Sequence, residues 1–78
     1  MITIREFLNK IKWDNRENPE DYSIVFIDLG KEKEILYKDI QKIEGNWMTL
    51  FNDKGEEVEV PLHRVRKVKK KGNIVWER

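Results

Sequence analysis

The chain has no cysteine, which excludes disulfide staples, a thiol nucleophile and a cysteine-ligated zinc site, and accords with a reducing cytosol. It has a single histidine, His63, so neither a paired-histidine phosphoesterase nor a histidine-rich metal centre can be built within it. The four glycines are isolated, leaving no glycine-rich phosphate loop and no G-x-S-x-G elbow. No apolar run approaches the roughly 20 residues of a membrane span. Met1 to Glu6 lacks the charged-then-apolar order of a signal peptide. These absences lead us to expect a cytoplasmic protein with no membrane segment, no metal and no cofactor. No catalytic constellation is visible, so an enzyme is not expected. At 78 residues the chain is read as one domain, 1–78, whose small core must rest on packing alone.

Charge is what the chain has in abundance. Lys, Arg, Asp and Glu make up 40% of it, yet the formal net charge is only +1. Residues 1–62 hold nine basic and fourteen acidic side chains, a net of −5, whereas residues 63–78 hold seven basic and one acidic, a net of +6. A basic end on an acidic body points to an anionic partner, nucleic acid being the commonest.

The hydrophobic pattern changes period along the chain. Thr3 and Glu6 form a capping-box pattern, and Ile4, Phe7, Leu8 and Ile11 recur at helical spacing, so residues 3–12 are expected to be a short amphipathic helix. A polar loop follows over 15–21. From Tyr22 to the end the pattern is of strands and tight turns, with Ile24–Ile27 apolar on both faces as a central strand. Ile35, Ile40 and Ile43 are matched 25 residues later by Val60, Val65 and Val68, and each set is followed by Gly-Asn. This is either a repeat of strand, short turn, strand, tight turn, strand, or a chance alternation of Ile and Val. The three-residue step inside each set needs a 3₁₀ turn or a bulge. The expected fold is α+β: the N-terminal helix packed on an antiparallel sheet of five or six strands, open or curled into a small barrel.

The run Leu62-His63-Arg64-Val65-Arg66-Lys67-Val68-Lys69-Lys70-Lys71-Gly72 carries six of the sixteen basic residues. Pro61 ends strand pairing, so His63 and Arg64 fall on the turn after it. Arginine offers a planar fork to phosphate oxygens, lysine a mobile point charge, and histidine a donor or proton carrier. His63, Arg64, Arg66, Lys67 and Lys69 are therefore the candidate contacts to phosphate and nucleic acid. Lys69 to Lys71 equally suit a solvated edge or hairpin tip, where lysine blocks aggregation. Of the three tryptophans, Trp76 and Trp47 are assigned to the core. Trp13 and Tyr22 flank the loop and are the candidate platforms for a stacked base.

Asn9-Lys10-Ile11-Lys12-Trp13-Asp14 with Arg16-Glu17-Asn18, then Val60-Pro61-Leu62-His63-Arg64-Val65, then Gly72-Asn73-Ile74-Val75-Trp76-Glu77-Arg78 resemble, in the same order, a small archaeal family of uncharacterised proteins described as an RNA cyclic-group end-recognition domain. The resemblance spans essentially the whole chain. It implies a module that binds RNA ends bearing a terminal or 2′,3′-cyclic phosphate, in the company of RNA-processing proteins. The family often has Arg directly after the residue ending the first strand, where this chain has Leu29 after Asp28. The competing expectation is a protein-interaction or accessory module of an RNA-processing complex, docking through its basic hairpin or a sheet edge.

Overall fold

The computed structural model describes residues 2–78. Helix α1 runs Ile4–Trp13. Thr3 is its extended N-cap, and the Thr3 hydroxyl oxygen accepts the Glu6 N–H at 3.1 Å. Among the described residues only this half of the capping box forms. Ile4, Leu8 and Ile11 are buried, as the helical spacing requires, and Phe7 packs its ring edge-on to Tyr22 at 6.4 Å. A ten-residue helix is weak alone, so this buried stripe holds it.

Seven strands follow: β1 Tyr22–Asp28, β2 Lys31–Leu36, β3 Ile40–Glu44, β4 Trp47–Phe51, β5 Glu57–Pro61, β6 Val65–Lys70 and β7 Asn73–Glu77. The α+β class is as expected, but the single five- or six-stranded sheet is not. There are two antiparallel sheets, one ordered β2-β1-β6-β7 and the other β3-β4-β5, and no closed barrel. The three-residue steps themselves are β-bulges, which leave Gln41 of β3 and Arg66 of β6 without a cross-strand partner in the register. The sheets part at two corners just before them. A 3₁₀ turn at Tyr37–Asp39 carries the chain from β2 in the first sheet to β3 in the second. Another at Leu62–Arg64 carries it back from β5 to β6. At each corner the period-two ladder breaks, so pairing cannot continue into one sheet. The repeat is thereby visible as structure: β2, corner, β3, turn, β4 is followed by β5, corner, β6, turn, β7.

The core lies between the sheets and under α1. Leu8, Ile24, Met48, Val65 and Val68 are fully enclosed. Each such side chain contributes about 1.5–3 kcal/mol of burial. Trp76 is buried as expected, and its indole N–H donates to the Ile2 carbonyl at 3.1 Å, tying the last strand to the start of the chain. Trp47 is not in the core. Met48 and Leu50 take the inward positions of β4, so period two turns Trp47 and Phe51 outward.

Helix α1 bridges the two corners. The Tyr37 hydroxyl at the first corner donates to the Leu8 carbonyl at 3.1 Å. Leu62 of the second corner is buried beside the first turns of the helix.

Candidate nucleic-acid interface

The basic run divides when it folds. At the second corner, buried Leu62 and Val65 fix the backbone from either side. The Leu62 N–H donates to the Asn46 carbonyl at 2.8 Å. With those two side chains turned inward, His63 and Arg64 stand exposed, and so does Arg66, the bulge residue of β6 opposite the Val25–Phe26 step. His63, Arg64 and Arg66 line one recess of about 330 Å³, closed on its other side by Ile27, Leu29 and Gly30 of the β1–β2 hairpin. Among the described residues none of the three makes a salt bridge.

His63 also lines a larger recess of about 600 Å³ on its other side. There it faces Arg5 and Asn9 of α1, Asn46 of the β3–β4 turn, and Arg78. The Arg78 guanidinium lies 5.4 Å from the Trp76 ring and donates to the Leu62 carbonyl at 3.4 Å, so the C-terminal arginine leans on the second corner. Glu6 is the one acidic side chain in this recess. Sequence reasoning missed Arg5, Asn9, Asn46 and Arg78. The available signal was Arg5 itself: a cation in the first turn of a helix opposes the helix dipole, a cost of about 0.3–1 kcal/mol that helix formation does not explain.

Lys67 and Lys69 are elsewhere. Both reach across β1 to β2, where Lys67 meets Glu32 at 3.8 Å and Lys69 meets Glu34 at 3.3 Å. The Ser23 hydroxyl, then Lys69, hold the Glu34 carboxyl below the usual carboxylate range. Lys70 is paired with Glu17 at 3.1 Å and lies 5.7 Å from the Tyr22 ring centre. Partly exposed pairs of this kind are worth about 0–1 kcal/mol in stability. Their effect on the surface field is larger, because each cancels a positive charge locally.

Neither stacking candidate lies by the corner. Trp13 is 75% exposed, but it ends α1 while the second corner meets the start. The helix rise over those nine residues is roughly 14 Å. Tyr22 is buried, only 5% exposed, and offers no face to a base. Its hydroxyl donates to the Glu17 carboxylate at 2.5 Å, and burial together with that carboxylate pushes the hydroxyl up to about 12. Tyr22 pairs with Lys70 and Phe26 with Val65, so Tyr22 sits at the opposite end of β1 from the corner, roughly 13 Å away at strand rise. The exposed aromatic on the corner's side is Trp47, which pairs across strands with Pro61 and directly follows Asn46. The alternation of Met48 and Leu50 with Trp47 and Phe51 was the signal for it.

Leu29 is 93% exposed and has a φ of 53°, the left-handed region. Gly30 beside it has a φ of 78°, giving the two positive angles of a mirror-image hairpin turn that prefers Asn-Gly. Leucine is a poor choice there on conformational grounds. The position opens on the recess of Arg64 and Arg66.

Comparison with known proteins follows the same lines. The MJ1316 RNA cyclic group end recognition domain matches residues 1–78. A UPF0248 protein of Saccharolobus solfataricus is 35% identical over 82 residues, covering 99% of this chain and 98% of the relative. One of Saccharolobus islandicus is 34% identical, covering 99% and 100%, and one of Metallosphaera sedula is 32% identical over 78 residues, covering 99% and 94%. No solved structure matches the chain. The chain belongs to the family of the MJ1316 RNA cyclic group end recognition domain.

Proposed function

We propose, from that membership, that the domain binds RNA ends without chemistry on them, holding a terminal or 2′,3′-cyclic phosphate against His63 and Arg64. The observation that carries this reading is the division of the basic run. Lys67, Lys69 and Lys70 are matched by carboxylates, whereas His63, Arg64 and Arg66 share a recess with no acid in it. Two guanidinium forks and an imidazole suit the oxygens of one phosphate. Arg66 supplies the second fork, whereas Lys67 and Lys69, paired with Glu32 and Glu34, add little. Proton bookkeeping supports the non-catalytic part. Opening a cyclic phosphate requires one group to accept a proton from water and another to donate to the leaving oxygen. The arginines of the recess stay protonated, which leaves His63 as its one proton carrier.

The test is a titration of RNA oligomers of one sequence ending in cyclic phosphate, linear phosphate or hydroxyl. Tighter binding of the phosphate ends is expected, falling with added salt. Equal affinity for all three ends would reject end recognition. Hydrolysis of the cyclic end by pure protein, lost in His63→Ala, would reject the non-catalytic part. A protein-docking reading is favoured by one feature, the half-exposed Ile74 and Val75 on edge strand β7. RNA binding that is weak and indifferent to Arg64→Ala would move the weight to it.

A further inference from the structure

The two recesses share His63, and a nucleotide at the end of an RNA has two phosphates of its own. One is the terminal group on the 2′ and 3′ oxygens. The other is the diester on the 5′ oxygen, which joins it to the chain. We propose that the domain reads the last nucleotide by both, with the cyclic phosphate in the recess of Arg64 and Arg66 and the 5′ diester in the recess of Arg5, Asn9, Asn46 and Arg78. His63 then lies under the ribose between them. This rests on the end-recognition reading above and extends it. The ligand is a nucleotide flanked by phosphates on both sides, so a nucleoside cyclic phosphate alone fills half of the site.

Four observations support the second subsite independently of the first. The recess is the larger of the two, about 600 Å³ against about 330 Å³, which suits the side on which the polynucleotide continues. It gathers two exposed arginines from opposite ends of the sequence, Arg5 and Arg78, neither of them in a salt bridge among the described residues. Arg5 stands in the first turn of α1, so the positive end of the helix dipole adds to the arginines that face the recess. The amides of Asn9 and Asn46 supply both donors and acceptors to the same space, as ribose hydroxyls and base edges require. Glu6 opposes the proposal electrostatically and gives it a signed consequence: Glu6→Gln should tighten the ligand with two phosphates and not the one with a single phosphate.

The probes are adenosine 2′,3′-cyclic phosphate with a free 5′ hydroxyl and the same nucleotide carrying a 5′ methyl phosphodiester, which has the single charge of the natural chain. A dinucleotide ending in cyclic phosphate and one ending in hydroxyl complete the set. Calorimetric titration of the full chain should show the 5′ diester tightening binding by about tenfold, the scale of one charge-assisted contact. Arg5→Gln should erase that gain while leaving the affinity for the 5′ hydroxyl form within about twofold. Lys38→Gln, which removes the same charge at the other corner, should leave the gain intact. No gain from the diester, a gain that survives Arg5→Gln, or equal loss in Lys38→Gln would each overturn the second subsite. If the cyclic-ended dinucleotide still binds more tightly than the hydroxyl-ended one in any of those cases, end recognition itself stands. If it does not, both readings fall together.

Discussion

Arg64→Ala and Lys69→Ala remove the same charge from the same short run, and the structure assigns them different consequences. Arg64 is held on a corner fixed by buried Leu62 and Val65, with no carboxylate partner among the described residues. A hydrogen bond to a charged group contributes about 1.5–3 kcal/mol, so losing Arg64 should weaken binding of a phosphate-ended RNA by roughly tenfold to a hundredfold at 25 °C. Lys69 is spent on Glu34 at 3.3 Å. It also lies four strand residues beyond Val65, roughly 13 Å away. The screening length at physiological salt is about 8 Å, so its removal should change binding by less than about twofold. The two proteins should also differ in salt dependence. Loss of one phosphate contact to a single strand lowers the slope of log affinity against log salt by about 0.7. Fluorescence anisotropy with a labelled RNA of about ten nucleotides, cyclic-ended, between 50 and 200 mM salt, measures both quantities. Equal losses in the two variants, vanishing together at high salt, would mean a diffuse basic surface. The corner would then have no special claim on phosphate, and His63 would be a solvent-exposed turn residue.

Leu29→Arg should place a third guanidinium at the mouth of the recess of Arg64 and Arg66; as an exposed residue it should gain on the order of 0.5–1 kcal/mol, about two- to fivefold in affinity, and no gain in the anisotropy assay would exclude the hairpin from the site. Leu8→Ala should destabilise the fold by about 2–5 kcal/mol, read as a lowered denaturation midpoint, because Leu8 is fully enclosed where α1 meets both sheets. Alkali should destabilise the protein through Tyr22. Its hydroxyl keeps its proton in the fold up to about 12 but only to about 10 when unfolded, so the contribution is complete below pH 10 and is lost as pH rises towards 12. In Tyr22→Phe that part of the slope should vanish from urea titrations; an unchanged slope would locate the alkaline loss elsewhere.

The parts of this fold legible in the sequence were those governed by local rules. The Thr3 cap and the Ile4–Leu8–Ile11 stripe each follow from the residues within a few positions. The division into two sheets was not legible. The three-residue steps from Ile40 to Ile43 and Val65 to Val68 announced a break in alternation and proved to be bulges within β3 and β6. That each strand before them belongs to the other sheet depends on partners far away in sequence. The candidate site shows the same boundary. Exposure of His63 and Arg64 followed from Pro61 and Val65. The neutralisation of Lys67 and Lys69 required knowing that β6 lies beside β1 and that β2 lies beyond, which places Glu32 and Glu34 within reach. Arg5 and Arg78 belong to no common motif. Only the packing of both chain ends against the second corner brings them together.

The repeat offers a reason for the site's position that charge alone does not. The two corners have the same backbone, a 3₁₀ turn between a strand of one sheet and a strand of the other, and α1 spans them. They should be equally able to present side chains. The first is used for anchorage: Tyr37 reaches the Leu8 carbonyl, Lys38 is followed by Asp39, and nearby Lys42 is paired with Glu44. At the second, Leu62 takes the anchoring position of Tyr37 without a hydroxyl, and His63 and Arg64 stand where Lys38 and Asp39 stand at the first. The substitution of Arg64 for Asp39 reverses the charge at the tip of an otherwise equivalent turn. Among the described residues the second corner is the one flanked by Arg5, from the first turn of α1, and Arg78, just after β7, which complete a two-sided recess there. An Asp39→Arg variant separates these causes. If a basic corner were sufficient, it should acquire affinity for the cyclic-ended RNA that survives Arg64→Ala. If the chain ends are required, as the placement of Arg5 and Arg78 implies, the double variant should bind no better than Arg64→Ala alone.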